Sequence, residues 1–147
     1  MKNIKPIYLL VLAAILIAAP HMRFGFGILI FLEAIPVLFY LDQTQGWRSK
    51  ALLFGFLFLG WSLATLKIVT APLPWFIALA FGLPVATSRF VSYMAFAPFQ
   101  RNKKAHLLFP ALLVIGEWLQ SSFTPFASWG SAAYTQINNP IWLQIVS

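Results

Sequence analysis

Apolar residues in this chain gather into five long runs, and most charged residues lie in the short stretches outside them. The runs cover residues 7–19, 28–41, 51–69, 75–99 and 107–119, and residues 24–27 extend the front of the second. A helix that crosses a bilayer needs about 20 predominantly apolar residues at about 1.5 Å rise each. The third and fourth runs meet that length, while the first, second and fifth must borrow flanking residues. The pattern predicts an all-α, polytopic transmembrane bundle of about five spans. Their approximate bounds are 6–22, 24–41, 51–69, 75–99 and 106–122, and residues 123–147 form an outer interfacial segment. Pro20, closing the first run, also permits a helix that dips in and turns back.

Composition supports a lipid solvent. The chain is 61% hydrophobic and 9% charged, against about a quarter charged in soluble domains. The net charge of +7 is spread over connectors rather than gathered in a basic patch, which argues against a nucleic-acid partner. With the N-terminus cytoplasmic and every run crossing, Lys2, Lys5, Arg48, Lys50, Arg101, Lys103 and Lys104 fall inside. Arg23 and Lys67 fall outside, an asymmetry in the sense of the positive-inside rule. Trp47 and Trp75 stand at span boundaries, and Trp129 and Trp142 suit an outer interfacial layer. The first run has the positive front and short core of a signal peptide, but Pro20 after Ala18-Ala19 is a poor cleavage context. Small residues that allow close helix approach occur at Ala51, Gly55, Gly60, Ser62 and Ala64.

Few residues can carry chemistry. There are no cysteines, three acids (Glu33, Asp42, Glu117) and two histidines (His21, His106). Neither a metal cluster nor a cofactor is expected from that set. The serines lack a nearby His–acid pattern or a nucleophile elbow, and there is no glycine-rich phosphate loop. No catalytic residue is assigned. Arg89 and Glu117 are the charges placed deepest. Arg89 lies about 18 Å before Arg101 along a helix, and Glu117 about 16 Å after His106. In adjacent antiparallel helices the two reach one depth, where pairing relieves the cost of burial. Glu33 is a second candidate partner for Arg89. The pair reads either as a structural tie or as the wall of a polar cavity. His21 reads as an interfacial residue and Lys67 as one snorkelling outward.

The stretch from Phe109 through Pro110, Ala111, Leu112, Gly116, Glu117, Trp118 and Leu119 to Gln120 resembles the fifth-helix region of bacterial apolipoprotein N-acyltransferases. So does the following Phe123…Phe126…Trp129-Gly130…Tyr134-Thr135-Gln136. Ala18-Ala19-Pro20-His21 and the glycine- and phenylalanine-rich residues 53–60 are similar to that family's first and third helices. Ser128, Ala133 and Gln120 depart from its usual Pro, Gly and Arg. The resemblance implies a multi-pass protein of the bacterial inner membrane that takes part in lipoprotein maturation. There an acyl chain passes from a phospholipid, through a cysteine thioester, to the N-terminal amine of a lipoprotein. It implies membrane phospholipid, a lipoprotein substrate and a nitrilase-like catalytic chain or domain as partners. That Glu–Lys–Cys domain is not among these residues, so the chain is expected to be a fragment, a truncated product or half of a split enzyme. Trp129, Gly130, Tyr134 and Gln136 are the candidate lipid and substrate contacts, with interfacial anchoring as their plainer role. A non-catalytic membrane scaffold is the alternative. A small transporter is a third reading, and the absence of an internal repeat weighs against it.

Overall fold

The computed structural model describes residues 4–21, 26–67, 69, 72, 74–102, 105, 107–124 and 135. Five α-helices make up the fold, and no strand occurs among the described residues. They are α1 (Pro6–Ala18), α2 (Ala34–Gln43), α3 (Trp47–Leu66), α4 (Ile77–Phe96) and α5 (Leu108–Phe123). A 3-10 segment, Gly27–Leu32, leads into α2, and another, Ala97–Phe99, continues α4.

Local chemistry sets several of these boundaries. Pro6 opens α1, where its fixed φ suits the first turn and its missing N–H costs nothing. Pro20 follows the C-cap residue Ala19 and stops the helix. Thr44 closes α2 by donating its hydroxyl to the Tyr40 carbonyl at 2.8 Å. Gly46, at φ 94°, supplies the left-handed turn into α3. That turn starts α3 at Trp47, so Arg48, Ser49 and Lys50 are helical rather than part of the connector. In α4, Pro84 cannot donate to the carbonyl of Ala80, which leaves that acceptor without its usual helical partner.

Among the described residues, only α3, with 20 residues, and α4 with its 3-10 extension, with 23, are long and apolar enough to cross a membrane. α1 has 13 residues and α5 has 16. The helices stack in chain order around α3 and α4. Ala14 of α1 meets Gly60 of α3, and Ala19 meets Lys67, so α1 and α3 run parallel. α3 and α4 are antiparallel, with Ser62 against Gly82 and Phe54 edge-on to Phe90. α4 and α5 are antiparallel too, with Ser92 reaching Leu112 and Tyr93 against Phe109.

One end of this stack carries most of the described cations. Arg101 donates to Asp42 at 3.0 and 3.2 Å, Gln100 to the Leu38 carbonyl at 2.6 Å, and Tyr40 to the Ser49 carbonyl at 2.9 Å. The start of α3, with Arg48 and Lys50, and the segment carrying Arg101 therefore lie together, with the start of α1 beside them. Lys67 lies at the opposite end, next to the end of α1.

The core joins Leu10, Ala13 and Ile17 of α1 to Val37 and Tyr40 of α2, Leu57 and Trp61 of α3, and Ala86 and Tyr93 of α4. The periphery is equally apolar. Ile15, Leu59, Leu63, Val91, Val114 and Trp118 all point outward. A soluble monomer rarely leaves apolar patches larger than a few hundred Å² open to water. An apolar exterior around a partly polar interior is the arrangement a lipid solvent favours.

Two glycines separate packing from propensity. A Cβ at Gly60 would lie 3.1 Å from the backbone of Ala14, whereas one at Gly55 meets nothing within 4 Å. Gly60→Ala should cost about 1–3 kcal/mol by forcing α1 from α3. Gly55→Ala should leave stability unchanged or raised, because alanine is the better helix former. Thermal unfolding in detergent measures both, and equal midpoints for the two variants would contradict the close α1–α3 approach.

Candidate functional site

Four ionisable side chains, His21, Glu33, Arg89 and Glu117, form one chain of contacts through Trp61. It begins at the turn after α1, where His21 is only 1% exposed. Its Nε2 lies 2.8 Å from Oε2 of Glu33, a carboxylate 5% exposed at the entry to α2. The first helix has to stop at Pro20 for His21 to turn inward, and the 3-10 segment Gly27–Leu32 brings Glu33 back to meet it. His21 is thus an interior residue held by a carboxylate, not one lying open at the membrane boundary. Glu33 takes this histidine as its hydrogen-bonding partner rather than Arg89.

Trp61 of α3 stands at the centre. The His21 ring lies against its indole with centroids 4.2 Å apart and planes tilted by 51°. The Arg89 guanidinium also sits 5.8 Å from the indole centroid, a cation–π distance. Arg89 is buried in α4 and donates from Nη2 to Oε1 of Glu117 on α5. The Arg89–Glu117 contact therefore ties α4 to α5, and Arg89 also reaches across to α3.

Small residues make room for this arrangement. Gly116 precedes Glu117, and a Cβ there would come within 2.9 Å of the hydroxyls of both Ser88 and Ser92. Ser92 donates to the carbonyl of Ser88 in its own helix at 3.1 Å or to that of Leu112 in α5 at 3.0 Å. Gly82 plays the same part beside Ser62. The Ser62 hydroxyl and the Trp61 indole N–H are buried without a hydrogen-bond partner among the described residues. Next to the Arg89–Glu117 tie, a cavity of about 480 Å³ opens between α4 and α5, lined by Pro84, Thr87, Ser88, Gly116, Gln120 and Thr124.

Such a chain of ionisable groups can orient and polarise, and it contains no thiol or hydroxyl. No group of three or more His, Cys, Asp or Glu side chains able to hold a metal occurs among the described residues. Trp129, Gly130, Tyr134 and Gln136 lie outside the described residues. His21–Glu33 was the part hardest to read from the sequence. Its signal is the isolation of the two residues. His21 directly follows a helix-ending proline, and Glu33 is the only charge between residues 24 and 41.

The pairing can be tested by what each partner leaves behind. His21→Ala strands the buried Glu33 carboxylate and should cost about 3 kcal/mol. Glu33→Gln keeps a hydrogen-bonding group and should cost about 1 kcal/mol. Unfolding midpoints in detergent that fall equally for both would count against a buried carboxylate that depends on His21 as its partner.

Against protein families, residues 13–147 match the model described as the apolipoprotein N-acyltransferase N-terminal domain. Comparison with curated proteins and with solved structures returned no match.

Proposed function

The chain belongs to the apolipoprotein N-acyltransferase N-terminal domain family, and from that premise we propose that it is the membrane part of a lipoprotein acyl-transfer system in the bacterial inner membrane. The family match over nearly the whole chain carries this reading. In it, an acyl group leaves a phospholipid and ends as an amide on the N-terminal amine of a lipoprotein. The thiol that would hold the acyl group between the two steps is not among these 147 residues, which contain no cysteine. A nitrilase-like domain, joined to this chain or assembled with it, would supply the Glu–Lys–Cys chemistry.

The role left to the helices is placement. Five crossings with a cytoplasmic N-terminus are supported by the parallel course of α1 and α3 and the alternation of α3, α4 and α5. The grouping of Arg48, Lys50 and Arg101 at one end agrees with that orientation. The end of α5 then emerges at the outer face, where Trp129, Gly130, Tyr134 and Gln136 would meet lipid and lipoprotein. The Arg89–Glu117 and His21–Glu33 contacts would hold α5, and so this outer segment, at a fixed height against the rest of the bundle.

The test is acylation itself. Cells deprived of their own lipoprotein N-acylation are given this chain together with a nitrilase-like domain of the family. Mass spectrometry then reads the N-terminal peptide of a lipoprotein. A third acyl chain should appear. Trp129→Ala and Tyr134→Ala should each reduce it about tenfold, the loss of one good contact of about 1.4 kcal/mol. Trp118→Ala, on the outward face of α5, should leave it unchanged. A membrane-inserted, assembled complex that adds no acyl chain would favour the non-catalytic scaffold.

A further inference from the structure

A groove of about 550 Å³ runs between α1 and α3, on a face of the bundle remote from the α4–α5 contact. Val11, Ile15 and Ala18 form one wall, and Phe56, Leu59 and Leu63 the other. Apart from Lys67, every described side chain lining it is apolar. Along α3 the groove extends from Phe56 to Lys67, eleven residues, or about 16 Å at the helical rise. Half of a bilayer's hydrocarbon core is about 15 Å thick. The groove thus begins at one end of α3 and reaches the level of the bilayer midplane, the path of an acyl chain in one leaflet.

Lys67 stands at the open end. Its ammonium donates to the carbonyls of His21 at 2.7 Å and Ala19 at 3.4 Å. These contacts fix its position but do not neutralise its charge, and among the described residues they take two of its three N–H groups. No carboxylate is in reach. Glu33 holds His21, Glu117 holds Arg89, and Asp42 lies at the other end of the bundle with Arg101. A cation held at the rim of an acyl-sized groove suits a phosphate. The lack of an acidic neighbour leaves nothing there for the ammonium of a zwitterionic head group.

We propose that the α1–α3 groove is a binding site for an anionic phospholipid, with one acyl chain between Ile15 and Leu63 and the phosphate on Lys67. The site rests on the bilayer-embedded reading of the bundle and is independent of acyl transfer. It would secure α1, which at 13 residues is short for a crossing, by adding lipid contact along its exposed side.

Native mass spectrometry of the full chain released from nanodiscs tests this directly. With equal phosphatidylglycerol and phosphatidylcholine supplied, the wild type should retain phosphatidylglycerol preferentially. Lys67→Gln should lower that preference about fivefold, the effect of one lysine near an anionic lipid surface, and Lys67→Arg should keep it. Ala18→Phe, which fills the groove, should reduce retention of both lipids. That arm decides the matter if Lys67→Gln does not fold. Millimolar inorganic phosphate should not displace the lipid. An unchanged preference in Lys67→Gln would overturn the proposal. Equal retention of diacylglycerol would do so as well, and displacement by free phosphate would assign the cation to a soluble anion instead. Recovery of the wild type in the soluble rather than the membrane fraction would instead refute the bilayer-embedded reading itself.

Discussion

A charge enclosed by apolar helices has no water to turn to, and it must find its counter-charge within the bundle or cost several kcal/mol. Of the three acids in this chain, Glu33 is buried in the bundle and Glu117 partly buried, and both are answered there. His21 meets one and Arg89 the other. Trp61 links the two contacts, since its indole ring lies against both the imidazole and the guanidinium. Together the five residues touch the turn after α1, the entry to α2, and α3, α4 and α5. A shift in any of these elements would separate an interior charge from its partner, so the polar chain restrains the arrangement that the apolar core only fills.

That restraint matters because helices in lipid lack the usual hydrophobic drive to associate. Lipid tails receive Leu and Val as readily as a neighbouring helix does. Close approach then depends on small residues, and they occur where contacts are tightest. Gly60 lies against Ala14, Gly82 against Ser62, and Gly116 against Ser88 and Ser92. The last of these places α5 near enough for Glu117 to reach Arg89. α5 otherwise buries little, with Gln120 its one fully buried residue. Its attachment to the bundle leans on the polar contacts and that glycine.

How far this could be read from residues alone varies along the chain. α3 and α4 lie over the two longest apolar runs, since a long run in a helical period leaves little alternative. The start of α3 was obscured because Arg48 and Lys50 look like connector, although both favour helix and Gly46 turns the chain just before them. The region between α1 and α2 was harder. Its apolar run suggests a continuous helix, but residues 27–32 form tighter turns and α2 begins at Ala34. The meeting of His21 with Glu33 depends on that break and could not be seen from spacing. Arg89 and Glu117 yielded to simple depth arithmetic, because both belong to regular helices joined by a short connector. The stretch carrying Trp129 and Tyr134 follows no period, and only residue type and the family resemblance single it out.

The dependence of the bundle on interior charge matching is open to one direct measurement. Arg89→Glu and Glu117→Arg are introduced singly and together, and the amount of folded protein in the membrane is quantified with its unfolding midpoint. Each single reversal places like charges side by side in the interior and should abolish accumulation, while the double reversal should restore most of it. Single variants that accumulate normally, or a double variant no better than the singles, would contradict the account.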